Sequence, residues 1–223
     1  MTLLTELLAY WDGDSAFDTV GAVEMQQAGA GYVSSFARPD SSTGTFEVPS
    51  ESDVFFSKDV LFDDHSAQTV NAWFYLTNWQ GMILLSDVAD SGDGACTGLG
   101  MRYCPDSWFF ELMSYNGTNW DGVSPGFGDA PPGYFQWFML TLTSDDSEAR
   151  VYINGVLAGT LPKTAPTATY LGSGPESFYL NGPHPWGAMT GNACYLGVWG
   201  RVLDETEIAM LYNDGFGRAF AGL

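Results

Sequence analysis

A chain of 223 residues with 45% hydrophobic content has enough apolar material for one substantial core, and residues 1–223 read as a single domain. Seven basic residues stand against 27 acidic ones, a formal charge of −20 that repels phosphate backbones and anionic headgroups, so nucleic acid is excluded as a partner. No apolar run approaches the roughly 20 residues of a helical membrane span, which excludes membrane insertion by that route.

In chain order, Leu7-Leu-Ala-Tyr-Trp11 is the first strand-like run. Glu6 interrupts the apolar stretch and the first basic residue is Arg38, so this end lacks the pattern of a signal peptide. Asp12, Asp14 and Asp18 follow the run and form one candidate set of oxygen ligands for calcium. Pro39 to Gly44 reads as a loop. Glu51-Ser-Asp53 begins like the Glu-x-Asp-x-x-Glu strand of two-carboxylate glycan hydrolases, but Phe56 stands where the second glutamate belongs. Val70-Asn-Ala-Trp-Phe-Tyr75 is a second clear strand.

The segment Asp87-Val-Ala-Asp90-Ser-Gly-Asp93-Gly reads as an acidic turn. Its three carboxylates are the second calcium candidate, although their spacing departs from the regular EF-hand loop and a solvated turn is the competing reading. Cys96 and Cys104 are spaced closely enough to bridge if the segment between them folds back, but reduced, buried thiols are the favoured reading, and Cys194 is left single. Glu111 stands alone in the strand-like Trp108-Phe-Phe-Glu-Leu-Met. Tyr115-Asn116-Gly-Thr-Asn119-Trp120-Asp121 has the chemistry of a glycan-binding loop, because aromatic rings stack on sugar faces while amides and carboxylates take hydroxyls. Trp186 is a further candidate for the same work.

From Tyr134 to Leu161 an alternating pattern turns at Asn154-Gly155, the dipeptide suited to a type I′ hairpin. Tyr195-Leu-Gly-Val-Trp-Gly-Arg-Val-Leu then leads to Asp204, which caps a helix with Glu207 as the reciprocal partner and Ile208, Leu211 and Tyr212 on one face; Gly215 stops it. Trp11, Trp73, Trp137 and Trp199 each sit in a strand-like run, which assigns them to the core or its rim. Twenty-seven glycines, eleven prolines and many short β-rich runs predict an all-β, two-sheet antiparallel sandwich with one short C-terminal helix, over 204–213, against an edge or loop.

These elements resemble the concanavalin A-like jelly roll of the laminin G-like and pentraxin-like kind. The resemblance is carried by Phe135-Gln-Trp137, by Val151-Tyr-Ile-Asn154-Gly155, and by Trp199-Gly-Arg201-Val-Leu203 through Glu207-Ile-Ala-Met-Leu-Tyr-Asn213-Asp-Gly215. The opening strand and Val70–Tyr75 agree with it, so it covers nearly the whole chain. Many relatives have an Asp-Glu pair where this chain has Cys194-Tyr195, and any role of that pair does not transfer. The resemblance implies a jelly roll that recognises glycans or other protein subunits outside cells, sometimes with calcium. Together with the missing second carboxylate, it leads to a non-catalytic recognition or scaffold module. With no export signal, the expected setting is a virion surface, as a capsid decoration or tail-associated protein; processing of a longer precursor is the other explanation. The alternative is a glycan hydrolase or lyase with an unfamiliar site.

Overall fold

A computed structural model describes residues 2–15, 18–20, 23–28, 31–49, 54–57, 67–78, 82–90, 96–104, 109–115, 120–123, 135–164, 178–180 and 190–223. In chain order the strands are β1 (Leu7–Trp11), β2 (Met25–Ala28), β3 (Gly31–Ala37), β4 (Thr43–Val48), β5 (Val54–Ser57), β6 (Ala67–Asn78), β7 (Met82–Asp90) and β8 (Cys96–Cys104). They continue with β9 (Phe109–Tyr115), β10 (Trp120–Val123), β11 (Trp137–Asp145), β12 (Glu148–Ile153), β13 (Val156–Pro162), β14 (Phe178–Leu180) and β15 (Thr190–Trp199). The helix α1 (Glu205–Tyr212) follows, with 3₁₀ turns at Asn213–Gly215 and Phe220–Gly222.

Every described strand pairing is antiparallel. One sheet runs β13-β12-β11-β6-β15-β4-β3, with β1 also on β15, and the other runs β10-β9-β8-β7-β14-β5-β2. Two-residue periodicity sorts the larger sheet into two apolar faces. Val70, Ala72, Phe74 and Leu76 of β6 join Phe138, Leu140, Leu142, Val151, Leu196 and Val198 on the inner face, where Met25 of β2 meets them from the second sheet. Trp73, Met139, Tyr152, Tyr195 and Trp199 lie on the outer face with Ile208 and Leu211 of α1. Burial on both faces explains why Phe138 through Ser144 are all inaccessible. Thr141 and Asn71, caught beneath the covering layer, are paired: the Thr141 hydroxyl donates to Asn71 Oδ1 at 2.7 Å, and Asn71 Nδ2 donates to the Tyr195 carbonyl at 3.2 Å.

The hairpin turn forms as expected, with Asn154 at φ 51° and Gly155 at φ 79°. Asp204 and Glu207 complete the capping box. Two details differ from the sequence reading. The helix ends at Asn213 in the left-handed conformation, ahead of Gly215. It also lies across the outer sheet face, where an edge or loop was expected, because Trp73, Met139 and Tyr152 leave an apolar surface there to be covered. Three of the four tryptophans are buried, and Trp137 is half-buried at the rim.

Cys96 and Cys104 occupy opposite ends of the extended β8, about 26 Å apart at ~3.3 Å per residue. The fold-back needed for a bridge between them does not occur, since a disulfide needs Cα atoms within about 7 Å. Cys194 is a buried free thiol.

Candidate binding surface

The residues singled out from the sequence fall in three places. Tyr115 ends β9 and Trp120 begins β10, and the two are register partners, as are Ser114 and Asp121. Asn116 and Asn119 in the connection, and Trp186, lie outside the described residues. Asp87 and Asp90 belong to β7, opposite Leu99 and Cys96. The expected acidic turn is therefore largely strand: pairing with β8 persists through Asp90 and leaves only 91–95, with Asp93, for the connection; that segment is outside the described residues.

Asp12, Asp14 and Asp18 have separate partners. Asp12 Oδ1 accepts the Phe220 N–H at 3.0 Å, pinning the C-terminal segment beside β1. Burial pushes the Asp12 carboxyl pKa up, with this bond and Arg38 opposing the shift. Asp14 lies 3.3 Å from Nη2 of the buried Arg38, whose Nε donates to the Gly44 carbonyl and whose guanidinium stands 5.4 Å from the Tyr195 ring centroid. Asp18 is buried, and its N–H donates to Val23 O at 3.1 Å. Among the described residues no three His, Cys, Asp or Glu side chains converge as a metal-ligand set.

Tyr195 sits at φ 51° in a bulge of β15 between Cys194 and Gly197. The extra residue puts Cys194 and Tyr195 on the outer face in succession, so the position of the relatives' acidic pair is here a buried bulge, with Gly13 against Cys194 and Gly217 against the Tyr195 ring.

A further surface had no mark in the sequence. α1 has eight residues, about 12 Å of helix, whereas β6 has twelve, about 40 Å of strand. The cover ends at Trp73, whose ring stacks on Tyr212 with centroids 5.7 Å apart and planes 3° from parallel. Two residues further along β6, on the same face, Tyr75 is only half-buried. Around it stand Phe36 at 5.0 Å, Trp137 at 5.6 Å and Phe135 at 6.5 Å between centroids, while Phe36 and Trp137 are 6.0 Å apart. Trp137 Nε1 donates to the Ala37 carbonyl at 3.0 Å, which fixes the indole against β3. The register of β3 on β4 is broken between Val33 and Ala37, and this irregularity accompanies Phe36's contact with residues of β6 and β11.

Phe135 is the outlier of the group. It is 64% exposed and held at φ 59°, a conformation unusual for a bulky residue, with its N–H donated to Leu76 O at 3.0 Å. An aromatic ring kept in water on a strained backbone points to a function served at that position. Thr77, two residues beyond Tyr75 on the same face of β6, is exposed, and its hydroxyl lies 3.1 Å from that of Thr190. The alternation of Trp73 with Tyr75, and of Trp137 with Met139, was legible; the uncovered end of the face required knowing where α1 lands.

Comparison with known proteins places the chain. Residues 40–209 match the family model described as the concanavalin A-like lectin/glucanases superfamily. The chain belongs to this superfamily. No curated protein sequence matches it.

Among solved structures, the binding domain of Paraclostridial Mosquitocidal Protein 1 is similar at a TM-score of 0.72 and 13% identity, over 96% of this chain and 53% of that one. Domain 4 of AbnA, a GH43 extracellular arabinanase from Geobacillus stearothermophilus solved with arabinotriose, is similar at 0.65 and 16%, over 92% of this chain and 97% of that domain. The botulinum neurotoxin serotype G binding domain is similar at 0.70 and 13%, over 93% and 51%. The chain thus spans about half the length of the toxin binding domains it matches. At these identities the likeness establishes the jelly-roll fold. Among the described residues no helix is long and apolar enough to cross a membrane.

Proposed function

We propose that this superfamily member is a non-catalytic glycan-recognition module working outside cells. The observation that carries this reading is the half-exposed aromatic ridge of Phe36, Tyr75, Phe135 and Trp137 at the uncovered end of the helix-bearing face. Rings already packed edge to face lose little freedom when a ligand lands on them, so the apolar face of a sugar gains contact at low entropic cost. The arabinotriose bound to the arabinanase domain, which this chain matches over nearly its full length, supports the same class of ligand.

A second contact strip is proposed at the β9–β10 hairpin, where Tyr115 and Trp120 bracket Asn116 and Asn119 and Asp121 follows. The neighbours named above are binding domains and an arabinanase domain, and they favour recognition over the scaffold and virion-surface settings. One toxin neighbour was solved in complex with rat synaptotagmin II, so a protein partner is the competing class.

Calcium enters only as a stabiliser, with no ligand set assigned to it. If it binds the native state alone, calcium at a hundred times its dissociation constant adds about 2.7 kcal/mol, read as a melting shift reversed by chelator.

A glycan array with the purified protein, run beside an assay for new reducing ends and unsaturated products, tests the main reading. Array binding without turnover is the expected result. Turnover abolished by replacing one carboxylate overturns it in favour of a hydrolase or lyase.

A further inference from the structure

We infer that the aromatic ridge takes an uncharged saccharide through the apolar C–H face of a pyranose ring, and that Phe135 is its specificity-determining residue. This rests on the glycan reading above and names the class of sugar. Three observations carry it.

The first is the size and shape of the surface. One side is bounded by the Trp73–Tyr212 stack and the far side by Thr77 and Thr190, and between them the four rings have neighbouring centroids 5.0 to 6.5 Å apart. A sugar ring and an aromatic ring are alike in size, so the ridge seats a short stretch of a chain.

The second is the chemistry of its border. Thr77 and Thr190 offer hydroxyl groups there, which suit sugar hydroxyls and neutralise no charge. Arg38, the basic residue that follows Phe36 and Ala37, is buried and engaged with Asp14 and the Gly44 carbonyl. The −20 formal charge of the chain further disfavours uronates and sulfated sugars.

The third is Phe135 itself. Its positive φ goes with a bulky ring exposed to solvent beside Tyr75, at 68° to the tyrosine plane, where it forms a raised lip on the ridge. A ligand must pass its reducing or non-reducing neighbour over that lip, so ring shape at this one position selects among neutral sugars.

The test is calorimetric titration of the whole chain with cellohexaose, xylohexaose, mannohexaose and galactohexaose. Hexagalacturonate and chitosan hexamer serve as the anionic and cationic counterparts, each at low and high sodium chloride. We expect a neutral hexamer to bind with an affinity insensitive to salt. Phe135→Asn, which tolerates positive φ but lacks the ring, should weaken binding about tenfold while the melting temperature is held, and Trp137→Phe, which also gives up the bond to Ala37, should weaken it by a similar factor in a chain that still melts cooperatively. Val156→Thr, at the 69% exposed edge residue of β13, should leave it unchanged.

Equal or tighter binding of hexagalacturonate or chitosan overturns the uncharged class and leaves the glycan reading standing. Neutral binding undiminished in the Phe135 and Trp137 variants overturns the ridge as the site. Failure of every sugar to bind overturns this inference and the glycan reading together.

Discussion

The pair Arg201 and Glu207 shows how much rests on single side chains at this terminus. The guanidinium makes two 2.7 Å bonds to the carboxylate, and its remaining donors reach the Thr5 and Thr2 carbonyls at 2.9 and 3.1 Å. Glu207 also accepts the Asp204 N–H at 3.1 Å. Removing one member leaves the other buried without its partner, so Glu207→Ala is expected to cost about 3 to 5 kcal/mol, read by chemical denaturation.

The Arg201 bonds hold the Glu207 carboxyl below its usual value of 4.5, against the opposing effect of burial. A carboxyl with a depressed folded pKa contributes stability that is present above the unfolded value and lost as pH falls through the folded one. The gap in melting temperature between wild type and Glu207→Gln should therefore be full at neutral pH and close as pH drops below about 4.5. Asp12, whose pKa is raised, runs in the opposite sense: its protonation on acidification favours the folded state. A gap that stays constant down to pH 3 would count against this assignment.

At the scale of elements, β15 governs both faces of the larger sheet. Gly191 is at φ 144°, and a Cβ there would lie 2.1 Å from the Tyr75 carbonyl oxygen. Gly191→Ala must therefore push β15 off β6 at the foot of the ridge. We expect a loss of about 3 kcal/mol or more, together with altered Tyr75 signals in aromatic NMR spectra. Gly197→Ala should be comparably damaging, since its Cβ would fall 2.4 Å from the Trp199 ring.

The elements also show what a sequence discloses. The capping box and the Asn154-Gly155 turn were legible because each is settled within about four residues. The Cys194–Tyr195 bulge and the convergence of Phe36 on Tyr75 and Trp137 depend on partners far along the chain. No local pattern announces them. Trp137 was assigned to the core or its rim on sound alternation, and its place in an uncovered aromatic surface emerged only when the helix proved too short to cover the face.

For the whole molecule, the covering layer of α1 and the C-terminal segment is expected to be indispensable. Tyr10 donates its hydroxyl to the Arg218 carbonyl and packs against Phe220 at 6.1 Å, while Trp199 Nε1 donates to Leu3 O at 2.7 Å beneath the same layer. A chain ending at residue 203 would expose Trp73, Met139, Tyr152 and Trp199 together. It should bind a hydrophobic dye and aggregate, as seen by fluorescence and light scattering. A monomeric, cooperatively melting 1–203 chain would show the layer to be dispensable.

The position of β15 also sets an order of events during synthesis. β1 finds its described partner only in β15, with Leu7 opposite Trp199 and Trp11 opposite Leu196. β6 receives β11 on one side but waits for β15 on the other. As the chain leaves the ribosome, its first strand is thus among the last to be paired, and an open sheet edge persists until residues 190–199 emerge. Closing so long a loop is slow, and an unpaired edge invites a neighbouring chain to add to it. The yield of this protein in a cell should therefore respond to translation rate and chaperone supply more than its native contacts alone suggest.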